Sequence, residues 1–139
     1  MAETVARRGA RPIAIARHPI NGMLLPVPVV CFVGALLTDL AYKCSDGNLL
    51  WVNFSSWLIA AGLAVGFIAA IVLVVDAARG AASWLAVGLF VAAWVIELIN
   101  SLVHSRDGWT AVVPLGLTLS VIAAGLILVS GWLWREAAP

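Results

Sequence analysis

Glu97, Asn100, Ser101 and His104 lie three, four and seven residues apart counting from Glu97. On a helix these spacings share one face. A carboxylic acid, an amide, a hydroxyl and an imidazole on one stripe can pass a proton, orient a carbonyl or carboxylate, or fasten one helix to another. Asp39 with Thr38, Asn53 with Ser55 and Ser56, and the pair Arg106 and Asp107 are the other polar groups expected at the same level. They make a candidate ligand-binding cluster of Asp39, Asn53, Glu97, Asn100, His104, Arg106 and Asp107, with Arg106 expected to pair with Asp39 or Glu97. A second, smaller set is His18, Asp76 and Arg79. Asp76 ends an apolar run, where the negative end of a helix disfavours it unless it is paired.

These groups must be positioned by four apolar stretches, about 20–42, 49–75, 81–103 and 109–134. Each is near or above the ~20 residues that an α-helix needs to cross ~30 Å of hydrocarbon. The chain of 139 residues is 63% hydrophobic and 11% charged, with a mean hydropathy of +1.07. Ordinary globular domains carry roughly 25% charge. The expected fold is therefore all-α: an integral membrane four-helix bundle with antiparallel neighbours joined by short connections. Residues 1–18 read as a basic arm, 19–134 as the membrane domain and 135–139 as a short tail. The arm is not read as a cleavable signal, because no apolar run lies among its arginines.

Orientation follows from the basic residues. With the N-terminus inside, the inner segments hold Arg7, Arg8, Arg11, Arg17, Arg79 and Arg135, and the outer loops hold only Lys43 and Arg106. Both termini are expected in the cytoplasm. Trp51, Trp57 and Trp109 then fall near the outer interface, Trp84, Trp132 and Trp134 near the inner one, and Trp94 deeper. The seven-residue step from Glu97 to His104 puts Glu97 ~10 Å deeper in the hydrocarbon. A carboxylate facing lipid there costs ~2.5–3.5 kcal/mol, so the stripe should turn inward, with Glu97 protonated, paired or hydrogen-bonded.

Several features concern packing. Gly62 and Gly66 form a G-x-x-x-G, and Gly116, Ser120 and Ala124 repeat at four-residue spacing. Both patterns allow close helix approach, within the chain or in a dimer. Pro26 and Pro28 should kink the first helix, whereas Pro114 falls in the first turns of the fourth, where it costs less. Cys31 and Cys44 should lie ~20 Å apart along one helix and cannot bridge.

Much chemistry is excluded. His18 and His104 belong to opposite membrane faces, ~30 Å apart, so one chain cannot hold a bis-histidine haem. A metal on His104, Asp107, Asp39 and Glu97 is chemically allowed, but one His among scattered carboxylates is a weak signal and no metal is expected. No phosphate-cradling loop and no nucleophile beside a base is present. The chain is not expected to be an enzyme on its own, and nothing points to nucleic acid.

A resemblance adds to this reading. Arg17–His18–Pro19, Pro26, Thr38–Asp39–Leu40, Asp76 and Asn100 carry part of it. His104 leading into Ser105–Arg106–Asp107–Gly108–Trp109, then Pro114–Leu115–Gly116 and Gly131–Trp132, carry the rest. Together they resemble a bacterial family of four-helix predicted membrane proteins known as domain of unknown function 2231. The resemblance implies a multi-pass protein of the bacterial inner membrane. Relatives joined to or encoded beside periplasmic redox proteins imply an accessory or anchoring subunit of such a system, with a periplasmic dehydrogenase or electron carrier as partner. Similar proteins continue past the Gly-Trp pair with a glycine-rich tail carrying another His. This sequence has Trp134–Arg135–Glu136 there instead, so no ligand on such a tail is expected. In that role a quinone would sit at the outer cluster, Asp39, Glu97 and His104 would handle protons, and Arg106 would orient a carbonyl. His suits proton handling because its ordinary titration falls near neutral pH. The alternatives are a small proton-coupled transporter working as a homo-oligomer, with Glu97 as its switch, and a purely structural assembly factor.

Overall fold

The computed structural model describes residues 19–106 and 111–136. Among them every regular element is helical: α1 Pro19–Leu24, α2 Pro26–Cys44, α3 Leu49–Ala78, α4 Trp84–His104 and α5 Leu117–Glu136. A wide, interrupted turn over Val112–Gly116 leads into α5. Among the described residues, four spans are long and apolar enough to cross a membrane: Gly22–Cys44, Leu49–Ala78, Trp84–His104 and Val112–Glu136. The basic residues Arg7, Arg8, Arg11 and Arg17, together with His18, Asp107 and Trp109, lie outside the described residues.

The helix boundaries have local causes. Proline has no N–H to donate, so the helix breaks at Leu25, and Pro26 and Pro28 occupy the opening turn of α2. Asn48 and Ser83 sit in extended geometry before α3 and α4, and their side chains accept from Leu50 N at 3.0 Å and Leu85 N at 3.2 Å. Each satisfies a backbone donor that the first turn leaves unpaired. Pro114 is more disruptive than its position suggests. The residue before a proline is pushed out of the helical region, and Val113 has φ −111° and ψ 126°, so regular helix resumes only at Leu117.

Only 28 to 39% of the most apolar 18-residue stretch of each span is buried within the bundle. Large apolar side chains cover the outside, among them Met23, Val30, Trp57 and Leu102, each more than 60% exposed. Water would not tolerate so continuous an apolar surface, whereas lipid does. The protein is an integral membrane protein in contact with the bilayer.

The helices close into a ring, α2 on α3, α3 on α4, α4 on α5 and α5 back on α2. Close approach depends on missing side chains. A Cβ on Gly62 would lie 2.5 Å from Phe32 Cε1 and 2.9 Å from Cys31 Cβ, and one on Gly66 would lie 3.0 Å from Trp94 Cδ1. The G-x-x-x-G of α3 is therefore used inside the chain, against α2 and α4. The main apolar core includes Phe32, Ala69, Leu73, Phe90, Ala93 and Ile127. Two polar ties cross it: Trp94 Nε1 donates to Leu63 O at 2.9 Å, and Ser130 Oγ donates to Ala86 O at 2.8 Å. Cys31 is buried, Cys44 is exposed, and both are free thiols.

Candidate functional site

One polar network joins all four spans near one end of the ring. Asp39 lies five residues before the end of α2, Ser55 six after the start of α3, and Ser120 three after the start of α5. α4 contributes Glu97, Asn100 and His104 over its last two turns. These six residues are at most 1% exposed. The helical period puts the three α4 residues on the inward stripe, while Ser101 turns partly outward and bonds its own helix at Leu98 O.

Asp39 is the hub. Its Oδ1 accepts from Ser55 Oγ at 2.6 Å and meets His104 Nε2 at 2.8 Å, and its Oδ2 accepts from Ser120 Oγ at 2.5 Å. His104 Nε2 also lies 3.2 Å from Ser55 Oγ, and His104 Nδ1 lies 3.0 Å from Asn100 O. Asn100 Nδ2 donates both its hydrogens, to Ser120 Oγ at 2.8 Å and to Glu97 Oε2 at 3.0 Å. A continuous hydrogen-bonded path thus runs from Glu97 through Asn100 and Ser120 to Asp39 and His104.

Counting donors and acceptors shows what the path can do. A backbone carbonyl only accepts, so the contact to Asn100 O requires a proton on His104 Nδ1. One further proton then belongs to the 2.8 Å contact between His104 Nε2 and Asp39 Oδ1. On Nε2 it makes an imidazolium–carboxylate pair, and on Oδ1 it makes two neutral groups. The pair can change its charge separation by moving that proton without moving a helix. At the other end of the path, Glu97 Oε1 and Asn100 Oδ1 are buried acceptors with no hydrogen-bond partner among the described residues.

Gly116 makes room for this arrangement. A Cβ there would lie 3.2 Å from His104 Cε1 and 3.4 Å from Asn100 Oδ1. Beyond the network, one to two turns nearer the ends of the same helices, Tyr42, Val52 and Val112 form a small buried apolar cluster backed by Trp51 and Val113. Apolar side chains therefore flank the polar layer on both sides.

The other residues picked out by spacing fall elsewhere. Asn53 is two positions from Ser55 and so faces a different direction; it is only half-buried. Arg106 is exposed after the end of α4. It does not form the pair expected with Asp39 or Glu97; Asp39 pairs with His104 instead. A guanidinium at the surface keeps its hydration, whereas burying it beside Asp39 would cost several kcal/mol. Asp76 is fully buried at the far end of α3, Arg79 is exposed at the cap of that helix, and His18 is not described. Ser120 was legible only as a small packing residue. Its signal was a hydroxyl one turn after Gly116, on the side of α5 that faces the other helices.

No group of three or more His, Cys, Asp or Glu side chains among the described residues is arranged to hold a metal ion. A groove of about 790 Å³, lined by Val29, Ile127 and Trp134 among others, opens between the start of α2 and the end of α5. Ile127 follows Ser120 by seven residues and Trp134 follows it by fourteen, so the groove begins ~10 Å along the helices from the network and extends to ~20 Å.

A family model described as "Predicted membrane protein (DUF2231)" matches residues 17–138, nearly the whole chain. No curated protein and no solved structure matches the chain.

Proposed function

We propose, from the premise that this chain belongs to the DUF2231 family of predicted membrane proteins, that it is a proton-handling accessory subunit. It serves a redox system on the periplasmic face of the bacterial inner membrane. In this reading neighbouring helices are antiparallel and both termini are cytoplasmic, as six inner against two outer basic residues favour. The polar network then lies beneath the periplasmic surface.

One observation carries the reading: the buried Asp39–His104 pair, joined through Ser120 and Asn100 to a second buried carboxylic acid, Glu97. Ionisable side chains inside a membrane are costly, and serine or asparagine alone could fasten helices more cheaply. Two acids and an imidazole on one hydrogen-bonded path suit transfer of protons to or from a partner that gains or loses them with electrons, such as a quinone or a periplasmic dehydrogenase. Asp39 and His104 exchange the proton, Glu97 stores a second one, and Ser55 and Ser120 hold the pair in line.

The test is infrared difference spectroscopy of the reconstituted protein between acidic and alkaline buffer. A carboxyl signal that titrates in the wild type, and that Asp39→Asn and Glu97→Gln each alter, is the expected result. Spectra unchanged by both substitutions would remove the proton-handling role and leave a structural one. The redox service is checked separately by mass and absorption of the gently solubilised complex. A retained quinone or redox partner is expected, and a colourless, partner-free protein would overturn that assignment.

A further inference from the structure

The groove between α2 and α5 has the form of a lipid site. Leu25, Val29 and Ile127 form apolar walls. Gly131 also lines it, and a Cβ added there would meet nothing within 4 Å. At the mouth the lining becomes polar, with Trp134, Arg135 and Glu136. From Ile127 to Glu136 the wall runs nine residues, ~13 Å of helix. That is about half of the ~30 Å hydrocarbon layer. A partner's membrane helix would need a seam along the whole span. A groove one leaflet deep, apolar inside and charged at its mouth, has the length and polarity of a single lipid tail below its headgroup.

We propose that this groove binds one acyl chain of an anionic phospholipid, with the headgroup phosphate against the Arg135 guanidinium. The indole of Trp134 lines the groove at the level where amphipathic rings favour the membrane interface. Glu136 stands beside Arg135 and opposes the phosphate, so the preference for anionic lipid rests on Arg135. The groove's inner end is ~10 Å and its mouth ~20 Å from the polar network, and the site stands whether or not the network carries protons.

The experiment reads lipid retained by the full-length protein after extraction from vesicles of equal phosphatidylglycerol and phosphatidylethanolamine, by native mass spectrometry. One retained lipid per chain is expected, with phosphatidylglycerol favoured about fivefold, as ~1 kcal/mol per surface arginine implies. R135Q should abolish that preference and E136Q should increase it. Gly131→Leu should fill the groove and abolish retention. Gly125→Leu adds the same bulk at an exposed position of α5 where a Cβ also meets nothing within 4 Å, and should retain lipid. Thermal unfolding of both leucine variants checks that they fold. Absence of a retained lipid, equal retention of the two lipids, or retention that survives Gly131→Leu would each overturn the proposal.

Discussion

The two ends of the α2–α5 seam are built from opposite materials. At one end Ser120 of α5 donates to Asp39 of α2, within a network of six buried polar side chains. At the other end the same two helices leave an apolar groove beside Val29 and Ile127. Lipid supplies no hydrophobic force between helices, so association there depends on packing and on hydrogen bonds. The polar end draws on both: Gly116 removes bulk and six side chains share hydrogen bonds. The apolar core between the ends depends on shape, and at Gly62 even an added Cβ would lie 2.5 Å from Phe32 Cε1. Chemistry and shape thus hold different levels of one bundle.

Removing the hub should have the largest effect. Asp39→Ala leaves His104, Ser55 and Ser120 without their shared acceptor and should cost about 3–5 kcal/mol, the range for breaking a buried pair. Denaturation in detergent measures it. Asp39→Asn, which keeps an acceptor, should cost less. If Asp39→Ala unfolds like the wild type, the polar end does not hold the bundle and the contrast between the ends fails.

Gly62→Ala tests shape in the apolar half, where the new methyl would sit 2.5 Å from Phe32 Cε1. About 1–3 kcal/mol of overpacking is expected from thermal unfolding. Gly116→Ala meets His104 Cε1 only at 3.2 Å and should cost less than Gly62→Ala in the same measurement. An inverted order would mean that the polar layer is the more tightly packed one.

Smaller effects sharpen the comparison. Ser120→Ala and Ser55→Ala should each cost about 0.6 kcal/mol, the usual worth of a hydrogen bond between membrane helices. Double-mutant cycles with Asp39→Asn should show coupling for both serines. Arg106→Gln should change stability by less than about 0.5 kcal/mol, as exposed substitutions do. A larger loss would show that Arg106 reaches the network after all.

Part of the site could be read before any coordinates. Glu97, Asn100 and His104 share a face because the helical period alone decides it, and the cost of a carboxylate in lipid turns that face inward. Asp39 was legible as a counterpart because it lies at the matching distance from the end of its own span. The placement of Ser120 inside the network and of Arg106 outside it has one physical cause that spacing does not carry. Whether a side chain near a helix end reaches a neighbour depends on rotation of that helix about its axis. Hydropathy along one strand of sequence does not carry that angle. For Pro114 the difference is local: proline tolerates an early helical position, but it also pushes the residue before it, Val113, out of the helical region.

The amino-acid sequence by itself determined that this protein has four membrane-length helices and that a few ionisable groups lie among them. Both follow from transfer energies that add residue by residue. The tertiary structure alone decided that Asp39 pairs with His104 instead of Arg106, that Ser120 joins them, and that a cavity opens at the other end of the seam. Those outcomes depend on the relative rotation and spacing of helices far apart in sequence, which the missing side chains of Gly62 and Gly116 permit and directional hydrogen bonds select.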